Sequence, residues 1–225
     1  MHMPCSFRTR CLSGLTLALL LPFSVAAQES RNGPKIGFDI SCQTAGKFLG
    51  WNGQPKFGFL AGWSFEVPVT SQVSVLLEPM YIMKGSRTVD SYNKIRSNTT
   101  LNYIEMPVML KVSTNPDPQG LFVTVGLMYG YFLGGETKTN NNGEVTRSSF
   151  SYAGTKAAKR SQWSAALGIG HEMGHWMWEL RGQNSLNTFQ ATLSAHNVVY
   201  SLQVAWRFAS YTDREKKRSA QEDED

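Results

Sequence analysis

Apolar and polar residues alternate along most of the chain after residue 30, in long stretches separated by polar breaks. In the segment 121–133, Leu121, Val123 and Val125 are apolar, and the polar Thr124 lies between them. A period of two is typical of β-strands, because successive side chains of a strand point to opposite faces. The pattern predicts eight strands, at 35–45, 56–69, 73–86, 100–113, 121–136, 161–173, 176–188 and 196–208.

The predicted strands are long for a water-soluble sheet. Strands in soluble proteins average about 5–6 residues, whereas a tilted strand that crosses a bilayer needs about 9–11. Aromatic residues near the predicted strand ends also suit the interfacial girdles of a membrane barrel, and they are Trp51, Tyr81, Tyr131, Trp163, Trp176, Trp178 and Trp206. These features predict an all-β protein, an eight-stranded antiparallel transmembrane β-barrel with up-and-down topology.

The breaks between the predicted strands alternate in length. Short turns lie at 70–72 and 174–175, and a moderate one lies at 113–120. The long polar connections are 46–55, 87–99, 137–160 and 189–195. Outer-membrane barrels have short periplasmic turns and long external loops. We therefore expect the chain in the outer membrane of a Gram-negative cell, with the N- and C-termini in the periplasm.

The two ends of the chain differ from its middle. Arg8 and Arg10 precede an apolar stretch at 12–25, and the small residues Ala26 and Ala27 follow it. This order of basic, apolar and small residues is that of a secretory signal peptide. The last residues are mixed in charge and almost free of apolar side chains, as in disordered segments. The predicted divisions are a cleaved signal peptide at 1–27, the outer-membrane barrel at 28–208 and a charged, disordered periplasmic tail at 209–225.

Charge and cysteine content narrow the class of protein further. The formal net charge of +5 falls to +3 when the two arginines of the signal peptide leave, which is too mild to predict a nucleic-acid partner. Cys42 alone remains after residue 27, so no internal disulfide is expected. No later window has the roughly 18 consecutive apolar residues of a membrane helix, so a bilayer has to be crossed by a closed sheet.

Charged residues fall on the polar faces of the predicted strands. They are Asp39, Glu66, Glu78, Glu105, Lys111, Glu179, Arg181 and Arg207. The interior of an eight-stranded barrel is just wide enough for side chains to fill it, and a buried charge without a partner is costly. We expect a structural ion-pair network in the lumen, in which Glu105 pairs with Arg181 or Arg207. A narrow ion path or proton relay is the alternative.

The segment 171–175 matches the zinc motif H-E-x-x-H, with His171, Glu172 and His175 as its functional residues. The two histidines converge on one metal ion only when the segment is helical. Gly168 and Gly170 precede the motif, and the flanking residues alternate with a period of two, so a helix is not expected. The pattern predicts instead that the motif forms the end of the sixth strand and a tight turn, with no metal bound.

A resemblance to a known family agrees with the barrel prediction. The segment 103–111 reads YIEMPVMLK, Glu78 and Pro79 lie in the preceding strand, and the segment 178–181 reads WELR. In these features the chain resembles the PorT-like family of outer-membrane β-barrels. The resemblance implies eight antiparallel membrane strands. It implies little about activity, although the named member of that family is an accessory of a protein-secretion system.

These observations predict a non-enzymatic integral outer-membrane protein with a structural, interaction or secretion-accessory role and with specificity in its external loops. No catalytic residue, metal or cofactor is expected. The expected partners are outer-membrane lipid and other envelope or secretion proteins. Two alternatives stay open: a zinc-dependent hydrolase that uses His171, Glu172 and His175, and a soluble lipocalin-like ligand-binding barrel. In the second alternative the apolar faces point inward and the charges outward, an arrangement that alternation alone does not distinguish.

Overall fold

A computed structural model describes residues 31–45, 54–90, 95–116, 119–150, 160–188 and 195–208. These residues form strands β1 (Arg31–Ala45), β2 (Lys56–Pro68), β3 (Val73–Leu77), β4 (Met80–Asp90), β5 (Ile95–Ser113), β6 (Gly120–Asn141), β7 (Glu144–Phe150), β8 (Ser161–Met173), β9 (Trp176–Ser185) and β10 (Ala195–Trp206). All of them belong to one antiparallel sheet. The described part of the chain has no helix with the length and apolar character needed to span a membrane.

The sheet closes on itself, because β1 pairs with β2 on one side and with β10 on the other. Strands β3 and β4 both pair with β2 in the same register, with Leu77 opposite Phe65 and Met80 opposite Gly62. They form a single strand interrupted at Pro79, which has no N–H to donate to the ladder. Strands β7 and β8 both lie along β6. The result is a ring of eight strands, which confirms the predicted fold class.

The apolar face of each strand points out of the ring and the polar face points into it. On β5, Ile104 and Val108 are 49% and 50% exposed, whereas Tyr103 and Glu105 are fully buried. An outward apolar surface is stable when it faces the hydrocarbon of a bilayer. The inward polar groups then find their hydrogen-bond and ion-pair partners inside the barrel. The lipocalin-like alternative is therefore wrong, since it requires the charges on the outside.

Aromatic side chains on the outer surface gather near the two ends of the ring. At the end with the short turns, Trp176 and Trp206 pack edge to face with ring centroids 4.7 Å apart. At the other end, Tyr129 and Trp163 pack in the same way at 5.1 Å. This distribution is typical of interfacial girdles. Trp51, which was also predicted near a strand end, lies outside the described residues.

The sheet extends past the ring at the end away from the termini, where parts of three ring strands are joined by β7. We call this part the extension; it consists of residues 85–90 of β4, 95–102 of β5, 134–141 of β6 and all of β7. Its strands are paired throughout, with Ile95 opposite Asn141 and Asn141 opposite Glu144. The prediction of loops at 87–99 and 137–160 was therefore wrong for most of those residues. The apolar alternation ends at Leu133, and without it the pattern did not indicate strands.

Candidate functional site

The lumen of the ring holds a balanced set of buried charges. The buried cations among the described residues are Arg31, Lys35, Lys84, Lys111, Arg181 and Arg207. The buried carboxylates are Asp39, Glu66, Glu78, Glu105, Glu172 and Glu179. All eight residues predicted to line the lumen are in these two groups. Equal numbers of each sign keep the interior neutral, which a low-dielectric space requires.

A first layer of ion pairs lies near the short turns and the termini. Glu66 lies 2.8 Å from both Arg31 and Lys111, and 3.6 Å from Arg207. Glu172 lies 2.6 Å from Lys111 and 3.5 Å from Arg31. Two carboxylates thus hold three cations that come from β1, from β5 and from the residue after β10. The layer ties the first and last strands of the ring together.

A second layer is a square of alternating charges in the middle of the lumen. Lys35 Nζ lies 2.8 Å from Glu78 Oε1 and 2.8 Å from Glu179 Oε2. Arg181 Nη2 lies 2.7 Å from Glu78 Oε2 and 2.7 Å from Glu179 Oε2. The hydroxyl of Thr124 also donates to Glu179 at 2.6 Å. Charge-assisted bonds of this length are strong, and each of the four side chains of the square makes two of them.

A third layer lies toward the extension. Lys84 Nζ lies 2.5 Å from Glu105 Oε1, and the amide of Gln183 donates to both oxygens of Glu105 at 3.1 Å. Lys84 also donates to Gln162 at 3.3 Å. Asp39 is 1% exposed, and neither of its carboxylate oxygens has a hydrogen-bond partner among the described residues. Asp39 is thus the one predicted residue that the structure places in the lumen without an ion pair there.

The predicted pairing of Glu105 with Arg181 or Arg207 is wrong. Arg181 belongs to the second layer and Arg207 to the first, whereas Glu105 binds Lys84 in the third. The strands of a barrel are tilted and staggered, so the layer in which a side chain lies depends on the register of the whole ring. Glu105 and Lys111, six positions apart on β5, lie in separate layers.

Four of the buried lumen charges were not predicted from the sequence, and their positions explain why. Lys35 shares the inward face of β1 with Asp39, so the period of two was enough to find it. Arg31 precedes the predicted start of its strand. Lys84 shares a face with apolar inward residues, which hid the polar character of that face. Glu172 was assigned to the zinc motif.

Glycines make room for these large charged side chains. A Cβ on Gly168 would overlap Oε1 of Glu179 and the hydroxyl of Thr124. A Cβ on Gly58 would lie 2.6 Å from Oδ1 of Asp39. At Gly58 the backbone carbonyl oxygen of Met83 is closer still, at 2.1 Å, so this glycine also allows β4 to approach β2.

The zinc motif lies on a strand and a turn. Residues 171–173 are the last of β8, and Gly174 makes the turn into β9 with φ of 60°. Because neighbouring strand residues face opposite ways, His171 points outward and Glu172 points into the lumen. Nδ1 of His175 lies 2.7 Å from the carbonyl oxygen of Arg207. Within the described ranges, no three His, Cys, Asp or Glu side chains are close enough to share a metal ion.

Comparison with known proteins gives one family. A profile described as "Outer membrane protein beta-barrel domain" matches residues 26–190. A comparison with curated protein sequences gives no match.

Several solved structures are similar in fold. Neisserial surface protein A has 9% identity and a TM-score of 0.49, over 80% of this chain and 100% of that one. Ail, the attachment invasion locus protein of Yersinia pestis, has 13% identity and a TM-score of 0.46, over 80% of this chain and 100% of that one. The outer membrane protein OprG of Pseudomonas aeruginosa has 10% identity and a TM-score of 0.40, over 80% of this chain and 95% of that one.

Proposed function

The chain belongs to the family of outer membrane protein β-barrel domains, and from that premise we propose that it is a closed, non-enzymatic barrel with an interaction role at the cell surface. The observation that carries this proposal is the filled lumen. Six cations and six carboxylates are buried there among the described residues, and all but Asp39 form ion pairs with one another. A side chain that is held on two or more sides is a structural element of the barrel.

Aromatic side chains pack against the lysines of the first and third layers of charge. Tyr103 and Phe132 pack with ring centroids 5.4 Å apart beside Lys84, whose Nζ lies 5.2 Å from the centre of the Tyr103 ring. Near the short turns, Lys111 Nζ lies 5.1 Å from the centre of the Phe122 ring. Because paired charges and packed aromatic rings occupy the interior of a barrel of this size, we expect no continuous path for ions. This favours a structural plug over the ion path or proton relay.

The proposed orientation places the termini and the short turns in the periplasm and the extension outside the cell. Two features support it. The described chain begins and ends at the same end of the ring, where Phe208 N donates to Asn32 O at 2.9 Å. The longest strands project from the opposite end, as the external side of such barrels does. Residues 1–27 are proposed to be the cleaved signal peptide and 209–225 the periplasmic tail; both lie outside the described residues.

Within the larger family, we propose the PorT-like group as the closer relationship. The segment 103–111 carries this proposal, and its side chains have clear structural roles. Glu105 and Lys111 are lumen ion-pair residues, whereas Ile104, Met106 and Val108 face outward. Outer-membrane lipid is the first partner of such a protein, and other envelope or secretion proteins are the proposed partners of its external end.

Conductance and extraction measurements test the proposal. The purified protein, reconstituted in a planar bilayer, should show no sustained open-channel current. It should resist carbonate extraction from membranes, and it should run faster on a gel before boiling than after it. A steady, large conductance would contradict the closed lumen. A protein that stays monomeric in water without detergent would contradict the membrane barrel itself.

A further inference from the structure

Asp39 is a buried carboxylate outside the ion-pair network of the lumen. It is 1% exposed, and neither of its carboxylate oxygens has a hydrogen-bond partner among the described residues. The other five buried carboxylates each have at least one ion-pair partner. Because burial of an ionised carboxylate without a partner is costly, Asp39 requires a compensating positive charge close to its oxygens.

The carboxylate of Asp39 lies close to a backbone oxygen, in the space that a glycine provides. Gly58 on β2 is directly opposite Asp39 on β1, and a Cβ on Gly58 would lie 2.6 Å from Oδ1 and 2.9 Å from Oδ2 of Asp39. The carbonyl oxygen of Met83 on β4 is also close to that point. Three oxygen atoms with negative partial charge thus surround one position in the wall of the lumen. We call Asp39, Gly58 and Met83 the oxygen cluster.

The carbonyl of Met83 reaches this position because β4 leaves its ladder with β2. The regular pairing of the two strands ends at Leu60, opposite Ile82. Beyond that pair β4 crosses the inner face of β2, and Gly85 N donates to Ser41 Oγ on β1 at 2.8 Å. Backbone polar groups alternate in direction along a strand, so those of Met83 and Gly85 point to the same side, toward β1 and β2. The carbonyl of Met83 is therefore directed at Asp39.

The charge balance of the third layer gives the sign and size of the charge that the oxygen cluster requires. The layer has two buried carboxylates, Asp39 and Glu105, and one buried cation, Lys84, whose Nζ lies 2.5 Å from Glu105. Lys56 is nearby on β2, but its Nζ donates to the carbonyl oxygen of Thr99 at 3.3 Å. The first layer has the opposite imbalance, and the central square of charges lies between the two. One added positive charge neutralises the third layer, whereas two would leave it positive beside Lys84.

We propose that the oxygen cluster binds one monovalent metal cation, Na⁺ or K⁺, inside the barrel. Carboxylate and carbonyl oxygens are the ligands that hard cations prefer. Both oxygens of Asp39 and the carbonyl oxygen of Met83 hold the ion on the lumen side of Gly58. The ion joins β1 to β4 at the level where β4 has left its ladder with β2. It is a structural part of the lumen, and its binding does not depend on a partner at the external end.

The binding can be measured as the midpoint of thermal unfolding of the full-length protein in lipid vesicles, followed by its gel shift. The probes are NaCl, KCl and N-methylglucamine chloride at equal concentration, so that the anion and the ionic strength stay constant. A ligand that binds only the folded protein stabilises it. We expect a midpoint about 5 °C higher in NaCl or KCl than in the salt of the large organic cation, which does not fit the oxygen cluster.

Two variants separate the oxygen cluster from general effects of charge. Asp39→Asn keeps the shape of the side chain and removes its charge, so the midpoint should become the same in all three salts. Glu136→Gln makes the same charge change on the exposed surface of the extension, and it should keep the full difference between the salts.

Each other outcome has a definite meaning. Equal midpoints of the wild-type protein in the three salts would overturn the inference and would show that a proton or water satisfies Asp39. A folded Asp39→Asn variant that keeps the salt difference would also overturn it. If that variant does not fold, wild-type crystals soaked in thallium(I) give the second test, and no anomalous peak beside the Asp39 oxygens would be decisive against the site. Absence of the gel shift from the wild-type protein in every salt would instead contradict the proposed function.

Discussion

Lys111 Nζ lies 2.6 Å from Oε2 of Glu172, so the glutamate of the apparent zinc motif is an ion-pair partner inside the barrel. The same lysine lies 2.8 Å from Glu66, which places it between two carboxylates from different strands. A sequence match to a catalytic motif is thus explained by the packing of charges in the lumen. His171, on the other side of the barrel wall, takes no part in this packing.

The first prediction distinguishes the buried Glu172 from the outward His171 by their contributions to stability. Glu172→Gln removes one of the two anions beside Lys111, and we expect it to lower the free energy of unfolding by about 3 kcal/mol, because buried charge is left unbalanced. His171→Ala, on the outward side, should change it by less than about 0.5 kcal/mol. Urea unfolding in lipid vesicles, followed by tryptophan fluorescence, measures both. Equal losses in the two variants would contradict the assignment.

The second prediction concerns the pair Lys84 and Glu105 in the third layer. Lys84→Glu and Glu105→Lys should each lower the free energy of unfolding by about 3–5 kcal/mol, because like charges then meet inside the barrel. The double exchange should recover much of the stability, since Gln162 and Gln183 can turn their amides to suit either arrangement. A double-mutant cycle should give a coupling of about 2 kcal/mol or more. A double variant no more stable than the singles would refute the pairing.

The third prediction concerns the glycine beside the central square of charges. Gly168→Ala would place a methyl group against Glu179 and Thr124, so we expect it to lower the stability by about 1–3 kcal/mol. Gly134→Ala is the matched control, because no atom lies within 4 Å of the added Cβ there. Thermal unfolding monitored by the gel shift would compare the two. A destabilisation in Gly134→Ala as large as that in Gly168→Ala would show that the contact with Glu179 is unimportant.

The fourth prediction tests which solvent the outer surface meets. Leu127 and Val145 are similarly exposed, at 53% and 57%, but Leu127 lies in the middle of the apolar belt and Val145 lies on the extension. Leu127→Arg should cost about 2–4 kcal/mol in a bilayer, whereas Val145→Arg should cost almost nothing. Unfolding from lipid vesicles provides the measurement. If both substitutions were tolerated equally, the belt would be facing water.

Much of the fold was predictable because a strand that separates two solvents has a strong sequence signature. The apolar series through Val108 and Leu127 gave the strand positions in the ring to within a few residues. The extension lost this signature, because its few apolar residues, such as Ile95 and Val145, do not form an alternating series. Its paired hydroxyls, such as Thr99 and Thr137 at 3.0 Å, follow from cross-strand register, which alternation does not contain.

The sequence by itself determined that the chain forms long strands with one apolar and one polar face, and which charges share the polar face. The tertiary structure decided that the polar face is the inner one, and that Lys35 and Arg181 bridge the same two glutamates. The physical reason is that alternation is a property of one strand, whereas the choice of ion-pair partner depends on the tilt and stagger of eight strands around a closed ring.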